Sequence, residues 1–324
     1  MRVSDFRRYA ISICAAAAFL ASCGGSQPPI GAPGLMPQTS AIAMHAAHGG
    51  SWMAPQALSD DLLYVGGNSG DVTVYSYPKG RLVGALKNPY FDLPAGECVD
   101  KASDVFITDL GANKIFEYRH ASKVPFETLQ AAAGDPAGCA IDPTTGNLAV
   151  TTLGRGSNGN VAIYAHARGT PSTYTDPRIQ SYFWCSYDPQ GNLYVDGQAS
   201  HYFAFAELPR NRKRFVDITL NHKIDFPGGV QWDGKYMALG DQATSIIYQF
   251  SISGSTGTLE GTTVLNGASG VQQFSIQGHR VIGGDSGGDG YVHYWHYPAG
   301  GNFTKTIKKG VGGPMGLTVS KASK

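Results

Sequence analysis

Acidic and amide side chains recur along this chain directly after short apolar segments, a placement that suits ligand or metal binding. The set that ends such segments comprises Asn68, Asp109, Asp196, Asp241 and Asp285. Carboxylate oxygens bind polar or cationic ligands, and Ca²⁺ takes about six to eight oxygen ligands. An Asp after a strand can equally cap the next turn by accepting backbone N–H groups. The sequence leaves both roles open.

An internal repeat of about 44 residues determines where these side chains lie. A polar anchor closes one apolar segment of each copy, in steps of 42, 46, 45, 44 and 43 residues; the anchors are Asp100, Asp142, Asp188, Asp233, Gln277 and Ser320. Four of the six copies carry Pro-x-Gly, with the Pro six residues before the anchor, at Pro94, Pro136, Pro227 and Pro314. A second apolar segment follows each turn; these segments are Leu62–Val65, Val105–Ile107, Leu148–Val150, Leu193–Val195, Tyr236–Leu239 and Arg280–Ile282.

Four short strands per copy predict an all-β fold, a six-bladed β-propeller. The first copy lacks its first strand, and the last copy, residues 314–320, is only a first strand. We therefore expect the C-terminal strand to complete the first blade and leave no open sheet edge. An irregular β-sandwich or a solenoid is the alternative.

In such a propeller, the first strand of each blade runs down the central channel from the top face, and the second strand returns upward. The residues that open the first strands therefore meet those that end the second strands at the top mouth of the channel. Glu97 opens a first strand, and Tyr182 and Trp184 replace Pro and Gly in the fourth blade. We expect a ligand site at this top mouth; its candidate residues are Asn68, Glu97, Asp109, Tyr182, Trp184, Asp196, Asp241 and Asp285. The aromatic residues suit sugars, cations or flat ligands, or simply fill a gap between uneven blades.

The repeating unit, from Pro-x-Gly through Leu-x-Val to Ile-x-x-Tyr, is similar to that of NHL-type and TolB-like six-bladed propellers, a superfamily that includes gluconolactonase-like enzymes. The resemblance covers residues 60–320 and implies fold rather than activity. Members scaffold protein contacts, bind ligands, or hydrolyse lactones with a divalent metal. The Glu-Gly-Pro-x-Trp motif of the lactonases is absent, because Cys98 follows Glu97. Glu97, Asp241 and Asp285 stay candidates for a metal, with Ca²⁺ as a possible cofactor; no catalytic residue is assigned.

The N-terminal residues resemble a bacterial lipoprotein signal. A basic start with Arg2, Arg7 and Arg8 precedes an apolar run at 11–20 that is too short to span a bilayer, and small residues lead to Cys23. The resemblance implies cleavage after residue 22 and lipid on Cys23, and Gly24 implies an outer membrane if the cell has one. Residues 1–22 are thus a signal peptide, 23–58 a flexible tether and 59–324 the propeller.

Net charge narrows the range of partners. Loss of residues 1–22 removes three arginines and one aspartate, which leaves 22 basic and 23 acidic residues. A nucleic-acid partner would require a basic surface, so none is expected. Basic residues of the expected bottom hairpins, Arg210, Arg212, Lys213 and Arg214 among them, instead suit anionic lipid headgroups.

Cys98, Cys139 and Cys185 stay in the mature domain and are expected to be small buried apolar residues. A disulfide between Cys139 and Cys185 is left open. The chain is therefore expected to be a membrane-anchored extracytoplasmic protein that binds or scaffolds a protein or small-molecule ligand. A metal-dependent hydrolase of the lactonase type is the alternative. The oligomeric state does not follow from the sequence.

Overall fold

The computed structural model describes residues 50–323 as an all-β chain with 26 strands and two short 3₁₀ turns. The predicted signal peptide, Cys23 and most of the predicted tether lie outside the described residues. The strands form six antiparallel units, one for each predicted blade. Unit 1 contains β1 (Trp52–Met53), β2 (Leu62–Gly67), β3 (Val72–Ser76), β4 (Arg81–Leu86) and β26 (Pro314–Ser320), in the spatial order β1, β4, β3, β2, β26.

Three further four-stranded antiparallel units follow along the chain. Unit 2 contains β5 (Pro94–Val99), β6 (Val105–Asp109), β7 (Lys114–Tyr118) and β8 (Glu127–Gln130). Unit 3 contains β9 (Pro136–Ile141), β10 (Leu148–Thr152), β11 (Val161–Tyr164) and β12 (Ser172–Tyr174). Unit 4 contains β13 (Ser181–Tyr187), β14 (Leu193–Ala199), β15 (Tyr202–Leu208) and β16 (Val216–Asp217).

The last two units share one nine-stranded sheet because the parallel pair β21–β25 joins them. Unit 5 contains β18 (Pro227–Trp232), β19 (Met237–Asp241), β20 (Ile246–Ser253) and β21 (Thr256–Asn266), with β17 (Thr219–Leu220) on the side of β21. Unit 6 contains β22 (Val271–Gln277), β23 (Arg280–Asp285), β24 (Val292–His296) and β25 (Gly300–Ile307).

The C-terminal strand joins the first unit, as the incomplete first and last copies of the repeat predict. Leu63 of β2 pairs with Val319 of β26 in antiparallel register. The first strand of each unit also contacts that of the next, in the order β26, β5, β9, β13, β18, β22 and back to β26. These sheets are compatible with the expected propeller.

Large buried side chains fill the space between successive units. Tyr64 and Phe116 belong to one such cluster between units 1 and 2, and Tyr75 and Tyr294 to another between units 6 and 1. Burying one such side chain contributes about 1.5–3 kcal/mol. The alternating apolar residues of the repeat therefore stabilise the contacts between units as well as each sheet.

The Gly of Pro-x-Gly is required by the close approach of the first strands. A Cβ on Gly96 would lie 2.2 Å from the carbonyl oxygen of Ala137, in the next unit, and one on Gly138 would lie 2.8 Å from that of Phe183. At Gly96 and Gly138, a larger residue would force these first strands apart.

Residues 50–58, which the sequence assigned to the tether, lie in part on the outer edge of unit 1. Trp52 and Met53 pair with Ala85 and Gly84 of β4, and Ala57 is fully buried. Within residues 50–323, no helix has the length and apolarity required to cross a bilayer.

A disulfide joins Cys98 to Cys139, with a Cα–Cα distance of 5.7 Å, and Cys185 is buried and free. The expectation that all three are small buried apolar residues is thus wrong for two of them. Cys139 and Cys185 occupy equivalent positions, so their side chains point the same way around the assembly. Cys98 is offset by one residue from the position equivalent to Cys139, and side chains alternate along a strand, so it faces Cys139.

Candidate functional site

Two of the candidate carboxylates hold loops together in the same way. Asp109 accepts backbone N–H groups from Asp92 at 2.9 Å, Leu93 at 2.9 Å and Ala112 at 2.8 Å. Asp241 accepts the equivalent groups of Asp225, Phe226 and Ala243 at 3.0, 3.1 and 2.9 Å. Each carboxylate therefore joins the segment before a first strand to the turn after a second strand. These are the bonds of the turn-capping alternative.

Asp285 has the same position and makes related contacts. Its Oδ1 accepts the Ser269 N–H at 2.7 Å, and its Oδ2 accepts the Asp289 N–H at 3.2 Å. Burial raises the pKa of the equivalent Asp109, and its backbone donors only partly oppose this effect. A ligand that bound these oxygens directly would have to compete with the loop bonds.

Asp196 lies on the opposite face of its strand from Asp109 and Asp241. Gly197 pairs with Tyr182 where Asp241 pairs with Pro227, so Asp196 stands one residue earlier in the strand. Its Oδ1 accepts the Trp184 N–H at 2.8 Å, while its Oδ2 is buried without a partner among the described residues. Burial raises the pKa of this carboxyl well above its ordinary value, which favours the neutral acid.

Glu97 lies between units 1 and 2, against two glycines of unit 1. A Cβ on Gly66 would lie 2.4 Å from Oε1, and one on Gly316 would lie 2.1 Å from Oε2. Burial raises the pKa of Glu97 to about 8, and the Gly66 N–H only partly offsets this. Neither carboxylate oxygen has a partner at hydrogen-bonding geometry within residues 50–323.

The remaining candidates differ in burial. Tyr182 is fully buried, and its hydroxyl accepts the Asp176 N–H. Trp184 is 3% exposed and lies in a core cluster with Met315 of unit 1, while its Nε1 is buried without a partner among the described residues. Asn68 is exposed. The structure thus places the candidates in loops, cores and surface, and their role as ligand-binding residues stays a prediction.

A groove between units 1 and 2, about 310 Å³ in volume, is a candidate that the repeat did not indicate. It has aromatic, apolar and cationic walls, formed by Ser51, Lys87, Asn88, Pro89, Tyr90, Phe116, Tyr118, Lys123, Val124, Pro125 and Thr128. Tyr90 is 64% exposed and Val124 is 69% exposed. Most of these residues belong to the connections before β5 and before β8, which vary between copies, so no repeat signal marks them.

Cations lie on the aromatic rings beside this groove. Lys114 Nζ is 4.5 Å from the centre of the Tyr90 ring, and the Arg119 guanidinium is 4.1 Å from that of Phe126. The Arg168 guanidinium lies 5.3 Å from the same Phe126 ring and pairs with Glu117. Glu117 thus neutralises Arg168, and the cations that line the groove itself are Lys87 and Lys123. These lysines and the exposed rings suit an anionic ligand with apolar parts.

Comparisons with known proteins give a fold likeness without a family. No protein-family model and no curated protein matches the sequence. A chain of the nidogen/laminin complex superposes with a TM-score of 0.67 at 16% identity, over 82% of this chain and 100% of that chain. A protein of unknown function from Bacteroides caccae superposes with a TM-score of 0.62 at 13% identity, over 81% and 99%. At these identities the likeness concerns the fold alone.

Proposed function

We propose that this chain is a lipid-anchored extracytoplasmic β-propeller of six blades that binds an extended acidic segment of a partner protein. The groove between units 1 and 2 supports this proposal more than any other observation. Six antiparallel units of four or five strands, whose first strands contact one another in a closed order, support the blade count. One of the superposed structures is a protein–protein complex, which is compatible with such a role.

An extended peptide suits the groove for a backbone reason as well. Thr128 lines the groove and belongs to β8, the outermost strand of unit 2. An edge strand presents N–H and C=O groups to which a peptide strand can bind. The exposed Tyr90 and Val124 offer apolar contacts. Lys123 has no ion-pair partner within residues 50–323, and Lys87 has only a long one, 3.7 Å from Asp71.

The hydrolase alternative has less support from the geometry. It requires Glu97 to share one ion with Asp241 or Asp285. Glu97 instead faces two glycines of unit 1, and Asp241 is bonded to three backbone amides. We therefore favour binding over catalysis.

A peptide array tests the binding proposal. The probe is a set of hexapeptides with two acidic residues and one aromatic residue, with their neutral amide counterparts. We expect acidic peptides to bind and the double variant Lys87→Glu, Lys123→Glu to lower affinity about tenfold or more, with weaker binding at high salt. Lys308→Glu, an exposed change on unit 6, is the matched control. The proposal would be contradicted if the double variant and Lys308→Glu bound the acidic peptides equally well. It would also be contradicted if the wild-type chain showed no preference for acidic peptides.

The anchor has its own test. Metabolic labelling with palmitate should mark the wild-type chain and leave a Cys23→Ser variant unlabelled and in the aqueous phase of a detergent partition. Label that persists in the variant would contradict lipidation at Cys23, without bearing on the groove.

A further inference from the structure

Three potential metal ligands meet on unit 6, where sequence analysis identified only Asp285. The ligand atoms of Asp285, Asp289 and His293 all lie within 4.8 Å of one another. His293 Nε2 is 3.0 Å from Asp289 Oδ1, and its Nδ1 is 2.9 Å from Thr306 Oγ1. His293 is fully buried, whereas the Asp289 side chain is 44% exposed and open to solvent.

The repeat supplies an independent reason to single out this place. In each unit, one residue of the second strand is opposite one residue of the third strand at an equivalent place. This second-strand residue lies two positions before the one that pairs with the Pro of Pro-x-Gly or its equivalent. In the other five units the second-strand member is aliphatic; the pairs are Val65–Thr73, Ile107–Phe116, Val150–Ala162, Val195–Ala206 and Leu239–Tyr248. Unit 6 has Gly283 opposite His293 instead.

This exchange puts a polar ring into the core of unit 6. A buried imidazole must be hydrogen-bonded, and His293 meets this requirement through Thr306 and Asp289. No side chain fits at Gly283, because a Cβ there would lie 2.7 Å from Val271 and 3.5 Å from Trp295, so these neighbours fill the place of the aliphatic side chain. Departures of this kind from a locally consistent pattern occur at functional positions.

A second glycine lets the loop backbone lie close against the carboxylate of Asp285, which is fully buried. A Cβ on Gly288 would lie 2.0 Å from Asp285 Oδ2. Asp109 and Asp241 cap equivalent loops through three backbone amides each. Within residues 50–323, the carboxylate of Asp285 accepts two backbone N–H groups, one on each oxygen, so it has one bond fewer than Asp109 or Asp241 and retains lone pairs for a ligand.

We propose that Asp285, Asp289 and His293 form a binding site for a divalent transition-metal ion of the zinc type. One imidazole with two carboxylates suits a borderline cation, whereas Ca²⁺ prefers oxygen alone. When His293 Nδ1–H donates to Thr306 Oγ1, the Nε2 lone pair faces the two carboxylates, and the cation takes the place of a proton between them. Thr306 is then the partner that orients the ring. The site goes beyond the proposed peptide groove, which lies on units 1 and 2.

Zn²⁺ titration by calorimetry of the full chain tests the site, in a His45→Ala, His48→Ala background that removes the histidines before residue 50. We expect one Zn²⁺ per chain. Asp289→Asn and His293→Ala should each lower the affinity about tenfold or more, and Thr306→Val should lower it about tenfold. His296→Ala is the matched control, because His296 is exposed on the same strand, and it should bind as the parent does.

If His293→Ala fails to fold, the affinity of Asp289→Asn tests the site instead, because Asp289 is exposed and its replacement leaves the core intact. Co²⁺ supplies a spectroscopic signature: visible absorption bands should develop to one equivalent in the parent and be lost in Asp289→Asn. No binding of Zn²⁺ by the parent, or equal binding by parent and Asp289→Asn, would overturn the site. Binding of Ca²⁺ in preference to Zn²⁺ would overturn the assigned ion class.

Discussion

Replacing Glu97 with Gln should remove a large pH dependence from the stability of this protein. Glu97 is 1% exposed, and burial raises its pKa from the ordinary value of 4.5 to about 8. Below pH 4.5 the carboxyl is protonated in both the folded and the unfolded chain. As the pH rises from 4.5 to 8, only the unfolded chain ionises, so the free energy of unfolding falls. Above pH 8 both states are ionised and the decline ends.

The magnitude follows from the same two values. One proton of difference changes the free energy of unfolding by about 1.4 kcal/mol per pH unit. Across the window from pH 4.5 to about 8, Glu97 should therefore lower the stability by about 5 kcal/mol. The Gln variant lacks this decline, although its amide N–H groups meet the same partnerless surroundings at a cost of about 1–3 kcal/mol. The slope, rather than the stability at one pH, tests the reasoning.

Urea unfolding measured from pH 4.5 to 8.5 supplies the slope. The difference in free energy of unfolding between Glu97→Gln and wild type should grow with pH and then level off near pH 8. Glu260→Gln, an exposed carboxyl on β21, is the control and should give a flat difference. A flat difference for Glu97→Gln would show that the carboxyl is solvated and that its position between units 1 and 2 is wrong.

Three further expectations concern the disulfide, Asp196 and the basic surface. The double variant Cys98→Ser, Cys139→Ser should have a free energy of unfolding about 4 kcal/mol lower than wild type, the value for a closed loop of about 40 residues. Denaturant titration with and without dithiothreitol measures this. The control Cys185→Ala should lose as much stability in dithiothreitol as wild type does. Asp196→Thr should raise stability more at pH 8 than at pH 5, because the raised pKa of Asp196 makes stability fall with pH; a gain that is equal at both pH values would count against it. Charge reversal across residues 210–214 should weaken flotation of a Cys23→Ser chain with anionic vesicles and leave neutral vesicles unaffected, and unchanged flotation would refute that contact.

Spacing alone predicted much of the fold. The anchors at Asp142 and Asp188 and the Pro-x-Gly motif define first strands, and the structure has strands at Pro136–Ile141 and Ser181–Tyr187. The incomplete last copy predicted the pairing of Pro314–Ser320 with Leu62–Gly67. These predictions succeed because alternating apolar residues and turn residues are local signals.

The candidate site was harder to predict because it depends on single-residue register. Asp196 was grouped with Asp109, yet it stands one position earlier relative to the first strand, and a one-residue offset reverses the face of a strand. A register shift lies at the same point in every unit, so it does not explain the difference; Asp196 differs because it precedes Gly197, the residue that pairs with Tyr182. The same offset rule, applied to the positions of Cys98 and Cys139 in the repeat, identifies the bridged pair from the sequence.

Not every departure from the repeat indicates function, and Gln273 shows why. It replaces the Gly of Pro-x-Gly, but its amide accepts the N–H groups of Glu97 and Leu317 at 3.0 Å each and donates to the Glu97 carbonyl at 2.7 Å. This departure fastens three first strands, so the fold explains it fully. His293 differs in what its ring reaches. The ring packs against Trp295 and Phe303 and bonds to Thr306, as a core residue would. Its Nε2, however, also lies 3.0 Å from the carboxylate of the exposed Asp289, with Asp285 beside it. A departure that brings an imidazole next to two carboxylates is a better indication of a ligand than one that only fastens strands, and on this ground His293 ranks above Gln273.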